Sequence, residues 1–202
     1  MAYIRKSVAN SFNAPVYFIP ETDSTMRDAR ILAGDGEPDG TVVYAGIQNN
    51  GRGRIPGRLW ETEAGKNLLC TVLLRRPPAA GFTLRVGLAV ARTFDSFLPG
   101  PVKTEIKWPN DVLYENKKLS GILCENDTSV TYAGTGFNIG QTAFPPHLRN
   151  KAFSLELIYA ALSAPPALPS PRIFWPAICP IWKQYCPLIH GTRLLLKNYG
   201  AG

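Results

Sequence analysis

The chain of 202 residues lacks several features that would assign it to a large functional class. It has no apolar run long enough to cross a membrane, and its N-terminus lacks the apolar segment of a secretory signal peptide. It also lacks a Walker phosphate loop, a Gly-x-Gly-x-x-Gly fingerprint and an internal repeat. A nucleotide that binds this chain must therefore be held by a different kind of loop.

The four cysteines include no close Cys-x-x-Cys pair, which disfavours a zinc site. Cys70 and Cys124 lie in apolar, strand-like runs, which predicts buried free thiols in a reducing cytoplasm. Positive charge, in contrast, is in excess: the formal net charge is +7 and the pI is about 9.4. This excess favours anionic partners such as nucleotides, acidic proteins or nucleic acid.

An arginine-rich segment, residues 48–60, carries the strongest signal in the sequence. Arg52, Arg54 and Arg58 lie among three glycines with no acid between them, and the segment ends at Trp60. The glycines and a proline exclude a helix or a buried strand and predict a flexible loop. Guanidinium groups beside an indole can bind a phosphate and cover a flat ring.

The alternative interpretation of this segment is a tail that binds RNA loosely. It is disfavoured because two apolar runs that resemble buried strands frame the segment, residues 42–47 and 67–74.

The remaining patterns predict an α+β fold, with a mixed, mostly antiparallel sheet and helices packed on it. Short turns between the later strands predict antiparallel hairpins. In one helix, Leu84, Leu88, Ala91 and Phe94 are expected to face the core. Helices are predicted at 26–33, 83–98, 153–163 and 173–185, and further strands at 15–20, 102–107, 112–114, 117–124 and 129–138.

Two further motifs carry polar groups near predicted strand ends. Residues 107–111, Lys-Trp-Pro-Asn-Asp, either form a tight turn or crowd polar groups beside an indole. Lys118 opens the next strand, as a snorkelling edge residue or as an ammonium group in the same cleft as the arginines. Gly134 and Gly136 allow a flat ligand to approach closely, and Asn138 could present a donor and an acceptor to a base edge.

Together these motifs resemble the catalytic domain of biotin–protein ligases in order and approximate spacing. The resemblance implies a fold related to class II aminoacyl-tRNA synthetases. It also implies that ATP activates biotin as biotinyl-5'-AMP, with Mg²⁺, for transfer to a lysine of a biotin carboxyl carrier protein. The matching segments lie between residues 15 and 160: Asp23-Ser24-Thr25, Gln48, Gly51-Arg52-Gly53-Arg54, Gly57-Arg58, Trp60, residues 107–111, residues 118–123 and residues 134–138.

The resemblance also assigns roles to residues. Arg54 and Lys118 are expected to supply the charge at the α-phosphate, and Asp111 to act as base, metal ligand or structural group. The expected biotin contacts are Ser24, Thr25, Gln48, Gly51, Arg52, Arg54, Lys118 and Gly121. The expected nucleotide contacts are Arg54, Arg58, Trp60, Asn110, Lys118 and Asn138.

The sequence departs from the family pattern in places. Ile55-Pro56 stands where the family usually has one residue, which leaves the role of Arg58 open, and Met26 replaces a common asparagine. No helix-turn-helix domain precedes the motifs, so no DNA partner is expected; a homodimer stays open. Residues 1–190 are expected to form the catalytic domain, with a proline-rich link at 164–171. Residues 191–202 are expected to be a remnant, or the first strand, of a small C-terminal SH3-like domain.

Three alternatives stay open at this point. A lipoate or octanoate ligase or transferase shares the fold and a lysine, but is not expected to carry the arginine-rich loop or the Trp-Pro-Asn-Asp turn. A non-catalytic basic nucleic-acid-binding protein would fit the net charge, although aromatic and basic residues do not interleave in a repeated pattern. The third is a degenerate ligase that binds biotin without transferring it.

Overall fold

The computed structural model describes residues 2–164, 179–182 and 184, which contain a mixed eight-stranded sheet with helices on both faces. This arrangement confirms the predicted α+β class. The strands are β1 (Ile4–Lys6), β2 (Val16–Thr22), β3 (Val42–Gln48), β4 (Leu68–Leu74), β5 (Glu105–Lys107), β6 (Asp111–Tyr114), β7 (Lys117–Asp127) and β8 (Val130–Phe137). The helices with named bounds are α1 (Thr25–Gly34), α2 (Phe82–Phe97) and α3 (Leu155–Ala161).

The strand order in the sheet is β1-β2-β3-β4-β8-β7-β6-β5. The pairs β5–β6, β6–β7 and β7–β8 are antiparallel, which confirms the predicted hairpins. The turn between β6 and β7 has positive φ at both Glu115 and Asn116, as a two-residue hairpin turn requires. Strands β2 and β3 are parallel, and a parallel pair needs a crossover connection, which α1 provides.

Helix α2 covers one face of the sheet. Its buried side chains recur at the three- and four-residue spacing of a helix face, because one stripe of the helix must pack on the sheet. They are Phe82, Val86, Ala89, Val90, Ala91, Thr93 and Phe94. The expectation that Leu84 faces this core was wrong: its side chain is 42% exposed, because the buried stripe begins at Phe82 instead.

Helix α1 covers only part of the opposite face. It contacts β3, β4 and β8, and its Met26 and Ala29 join a second, smaller core there. Gly134 and Gly136 are two residues apart on β8, so their Cα hydrogens point to the same face of the sheet. A Cβ on Gly134 would meet Met26, whereas a Cβ on Gly136 would meet no atom of α1 among its nearest neighbours. Helix α1 therefore covers β8 only as far as about Gly134.

Some predicted elements differ in length or fall outside the described residues. Strand β1 was not predicted, and the strand expected at 102–107 is confined to β5. Residues 179–182 and 184 are helical, whereas the rest of the helix expected at 173–185, most of the proline-rich link and the segment 191–202 lie outside the described residues.

Cys70 and Cys179 are buried free thiols and Cys124 is a half-buried one. Within the described residues, no helix has the length and apolar character that a membrane crossing needs.

Candidate active site

A cavity of about 540 Å³ lies over the part of the sheet that α1 leaves uncovered. Its lining residues come from the start of α1, the arginine-rich segment, the ends of β5 and β6, strands β7 and β8, and the loop after β8. Of the residues expected in the site, the cavity wall contains Ser24, Thr25, Gln48, Arg52, Arg54, Arg58, Trp60, Asn110, Asp111, Lys118, Gly121 and Asn138.

Gly51 is the one expected site residue outside this wall. It is buried beneath Trp60: its carbonyl accepts a hydrogen bond from the Trp60 amide at 2.7 Å. A Cβ added to it would lie 3.0 Å from Gln48 Nε2 and 3.0 Å from the Trp60 carbonyl oxygen. Its place in the structure is therefore at the base of the arginine-rich segment.

The arginine-rich segment folds into a small exposed hairpin. Arg52 and Leu59 form an antiparallel bridge, and the Gly53 amide donates to the Arg58 carbonyl at 2.9 Å. The turn is Ile55-Pro56-Gly57-Arg58, closed by the Arg58 amide and the Ile55 carbonyl at 3.1 Å. Gly57 has φ +80°, and proline followed by such a glycine suits the two central positions of a type II turn.

This turn explains the departure from the family spacing. Ile55 and Pro56 complete the reversal of the chain, and Arg58 still reaches the cavity wall. The side chains of Arg52, Arg54 and Arg58 make no ion pair or hydrogen bond with the residues that the structure describes. Among the described residues, these three guanidinium groups at the cavity are therefore not paired with a carboxylate, as an anion-binding surface requires.

Lys118 contributes a fourth cation to the same cavity. Its Nζ atom lies 2.7 Å from Asp111 Oδ1, close enough for an ion pair. The same Nζ atom lies 5.2 Å from the centroid of the Trp60 ring, within range of a cation–π contact. Both charged side chains are partly exposed, at 32% and 25%, so the pair faces the cavity.

The Trp60 indole lies on two glycines that face each other across β7 and β8. Gly121 and Gly136 are register partners. A Cβ on Gly121 would lie 2.7 Å from the indole, and one on Gly136 would lie 2.4 Å from it. The indole Nε1 atom is buried and has no hydrogen-bond partner. The expected glycine at 121 is thus covered by Trp60 and by the end of the Lys118 side chain.

A chain of neutral hydrogen bonds lies on the other side of the cavity. The Thr71 hydroxyl donates to Thr25 Oγ1 at 3.0 Å, and Thr25 donates to Gln48 Oε1 through its amide at 2.7 Å and its hydroxyl at 2.9 Å. The Gln48 amide is therefore oriented with Oε1 toward α1. Its Nε2 group makes no hydrogen bond with the described residues and can donate to a ligand.

The two asparagines of the expected nucleotide site have structural partners. Asn138, 3% exposed, donates its side-chain amide to the carbonyls of Lys118 at 3.2 Å and Phe153 at 3.0 Å. Both donors are used, so only Oδ1 is left for a base edge, contrary to the expectation of a donor and an acceptor. Asn110 donates to the Ile122 carbonyl at 3.1 Å and accepts the Ile122 amide on its own carbonyl at 2.8 Å.

Sequence reasoning missed a group of cavity residues on the loop after β8. This loop runs beside β7, since the Lys118 amide donates to the Lys151 carbonyl and the Phe153 amide donates to the Lys118 carbonyl. His147 on the same loop lies 2.8 Å from Glu61, beside the hairpin. Nothing in the composition of the loop signals this role, because pairing with β7 places it. Thr71 and the loop residues Phe144, Leu148, Asn150, Lys151 and Ala152 were missed.

The donor set does not fit a magnesium ion held by the protein. The described residues contain no group of three or more metal-ligating side chains. Asp111, the one expected ligand, is already next to the Lys118 ammonium, which opposes a second cation at the same carboxylate.

Burial keeps the thiols of Cys70 and Cys124 protonated. It raises the pKa of Cys70, on β4, well above its ordinary value, with the nearby Cys179 adding to the shift. Burial raises the pKa of Cys124, on β7, to about 12, against a smaller opposing effect of a hydrogen bond with Thr83. Neither thiol ionises near neutral pH, so neither offers a nucleophile to the cavity.

Two bacterial proteins are among the known proteins of similar sequence. The chain is 34% identical over 144 residues to a "Bifunctional ligase/repressor BirA" of Bacillus spizizenii, covering 66% of this chain and 43% of that protein. It is 38% identical over 133 residues to a "Biotin--[acetyl-CoA-carboxylase] ligase" of Mycobacterium tuberculosis, covering 61% of this chain and 48% of that protein. The chain therefore spans less than half the length of these two relatives.

Solved structures of similar fold include two biotin protein ligases. The Aquifex aeolicus enzyme in complex with biotin and ATP has a TM-score of 0.71 and 26% identity, over 85% of this chain and 70% of that one. The Leishmania major enzyme in complex with biotinyl-5-AMP has a TM-score of 0.72 and 25% identity, over 93% of this chain and 86% of that one. A sequence model of the Biotin/lipoate A/B protein ligase family matches residues 18–140, more than half of the chain. The chain belongs to this family.

Proposed function

We propose that this chain joins biotin to a lysine of a biotin carboxyl carrier protein through biotinyl-5'-AMP, at the expense of ATP. The observation that carries the proposal is the composition of one cavity wall. Lys118 and the hairpin arginines lie in the same wall as the neutral Thr71–Thr25–Gln48 hydrogen-bond chain. The site thus offers cations for phosphates and neutral polar groups for an uncharged ring.

The first step joins two anions. A carboxylate oxygen of biotin attacks the α-phosphorus of ATP, the bond to the β-phosphate oxygen breaks, and pyrophosphate leaves with the electron pair. Two unit charges about 4 Å apart repel by roughly 4 kcal/mol at an effective dielectric constant near 20. Lys118 and Arg54, both in the cavity wall, offset this repulsion, and fixed charges at the reacting atoms are usually the largest catalytic contribution.

Asp111 fits a positioning role better than the role of a base. Its carboxylate lies 2.7 Å from the Lys118 ammonium, so a nearby cation already stabilises its charge. The contact also keeps Lys118 on the side of β7 that faces the cavity.

In the second step, a neutral lysine amine of the carrier attacks the acyl carbon, an amide bond forms and AMP leaves, with one proton released from the amine.

The neutral side of the cavity suits the ring of biotin. Gln48 Nε2 is free to donate to a ring carbonyl, since Gln48 Oε1 is held by Thr25. Ser24, at the start of α1, is also in the wall and makes no side-chain hydrogen bond as the N-cap of that helix. The hairpin with Trp60 then covers the adenylate and excludes water from the mixed anhydride.

The assay is to incubate the protein with ATP, biotin and an isolated carrier domain, and to weigh the carrier by mass spectrometry. We expect the carrier to gain one biotinyl group only when ATP and biotin are both present. A parallel reaction with lipoate, and a carrier whose acceptor lysine is changed to arginine, are the controls. Modification by lipoate alone, or release of pyrophosphate that does not depend on biotin, would contradict the proposal.

The proposal extends to the partner of the protein and to its compartment. The acceptor is a carboxylase carrier domain, and the compartment is the reducing cytoplasm, which the free thiols of Cys70, Cys124 and Cys179 support. The expectations of no DNA partner and of an open choice between monomer and homodimer stay predictions.

A further inference from the structure

We infer that the Gly121–Gly136 pair is a seat for Trp60, and that through this seat it sets the depth at which the arginine hairpin lies over the cavity. The inference rests on the proposed function for its effect on catalysis, but its structural part stands alone. It assigns a positioning role to Gly136, which lies in the cavity wall against the Trp60 indole.

The first support is the fit of the ring to the two strands. Added Cβ atoms would lie 2.4 Å from the indole at Gly136 and 2.7 Å from it at Gly121. Real Cβ atoms do not approach other atoms this closely, so any side chain larger than glycine must push the indole away. Because the two glycines are register partners, they give one flat area that spans two strands.

The second support is the connection from Trp60 to the hairpin. Trp60 follows the last hairpin residue directly, and its amide donates to the Gly51 carbonyl at 2.7 Å. One step further along, Arg52 and Leu59 form the antiparallel bridge. A shift of the indole away from the sheet therefore moves the strand that carries Arg58 and, through the bridge, the strand that carries Arg54.

The third support is the position of Lys118 relative to the same ring. Its Nζ atom lies 5.2 Å from the Trp60 ring centroid, and Cε and Nζ would lie 3.0 Å from a Cβ on Gly121. The indole is thus in contact with the cation on β7 and is continuous with the arginines of the hairpin. The position of the indole on the sheet therefore affects where the arginines of the hairpin lie relative to Lys118.

The test is a double-mutant cycle on Gly136→Ala and Trp60→Ala, read by biotin-dependent pyrophosphate release. We expect Gly136→Ala to lower kcat/KM by about tenfold in the wild-type background, and by no more than about threefold when Trp60 is already alanine. Gly34→Ala is the control, since Gly34 ends α1 and an added Cβ there meets nothing within 4 Å. Equal losses in both backgrounds would overturn the inference, because Gly136 would then act without Trp60.

A second readout does not depend on the reaction. Trypsin cleaves after arginine, and cleavage in a hairpin requires the hairpin to open. We expect Gly136→Ala to speed cleavage at Arg52, Arg54 and Arg58 by about tenfold, with Gly34→Ala unchanged. An unchanged cleavage rate in Gly136→Ala would overturn the inference even if the protein proved to be a ligase. Tighter biotin binding by Trp60→Ala would also overturn it, because the indole would then compete with the ligand for the glycine pair.

Discussion

Lys118 Nζ lies 2.7 Å from Asp111 Oδ1, across the antiparallel strands β6 and β7. The carboxylate holds the ammonium at the cavity as an ion pair. This relationship makes separate predictions for the two residues.

Replacing Lys118 by alanine should nearly abolish adenylate formation. A fixed cation at the α-phosphate is lost, and the loss of one such group typically costs about 100-fold or more in rate. Pyrophosphate release measures the step, and calorimetry with biotin should show largely unchanged binding. Lys117→Ala is the matched control, because it removes the same charge from the neighbouring residue, which lies over Phe153 instead. Equal activity of the two variants would contradict the assignment.

Replacing Asp111 by asparagine should slow adenylate formation by about tenfold, through a less well positioned Lys118. Transfer from preformed biotinyl-5'-AMP to the carrier should be unchanged, because Asp111 is proposed to position Lys118 and not to act as the base. The two half-reactions can be measured separately with synthetic adenylate. A loss confined to the transfer step would show that Asp111 is the base after all.

Replacing Arg54 by alanine should speed the escape of biotinyl-5'-AMP from the protein. In the part of the chain that the structure describes, the Arg54 guanidinium at the cavity wall has no ion-pair or hydrogen-bond partner, so it is available to hold the phosphate of the intermediate. Dissociation of radiolabelled adenylate measures the effect, which we expect to be about tenfold or more. Arg5→Ala, on β1 and outside the cavity wall, is the control. Identical dissociation from all three proteins would refute the role.

Replacing Asn138 by alanine should destabilise the fold itself. The change leaves the Phe153 carbonyl without its side-chain donor, at a cost of about 1–3 kcal/mol, whereas the Lys118 carbonyl still accepts from the Phe153 amide. Urea denaturation measures the free energy of unfolding. Asn126→Ala is the control, since Asn126 is exposed on β7. A loss of nucleotide affinity with full stability would instead support the role of Asn138 in reading adenine.

Stability should fall as the pH rises above about 9. Burial raises the pKa of Cys124 from the ordinary value of 9.0 to about 12 in the folded protein. Between these values the unfolded chain loses the proton and the folded chain keeps it, so the unfolded state gains stability. Urea denaturation at pH 8 and pH 10 measures the fall, and Cys124→Ala should reduce it. The same slope in both proteins would assign the fall to other groups.

The sequence was a good guide to elements whose signal is local. Strands β3 and β4 were predicted because their apolar runs end at glycine, proline or polar residues, and the chemistry of residues 48–60 was visible from their composition. Strand β1 was missed because it is three residues long and largely exposed, so its pairing with β2 leaves no pattern. Leu84 was misplaced because a one-position shift of the helix stripe fits the apolar pattern nearly as well.

The site was harder to predict where it depends on tertiary contacts. The hydrogen bonds of Asn138 to Lys118 and Phe153 join residues far apart in sequence, so a sequence pattern cannot show that its donors are used. The same holds for the indole on Gly121 and Gly136, which depends on the register of β7 with β8. The glycines could be recognised as places of close approach, but not the group that approaches them.

In the hairpin, backbone groups hold the shape and the arginine side chains carry the charge. Its closing contacts are backbone bonds at Gly51, Gly53 and Ile55 and the turn at Gly57, and none uses a guanidinium group. The arginine side chains can therefore be exchanged, one at a time, without loss of a bond that the frame depends on. Such an architecture allows selection to retune affinity for an anionic ligand while leaving the scaffold of the loop intact.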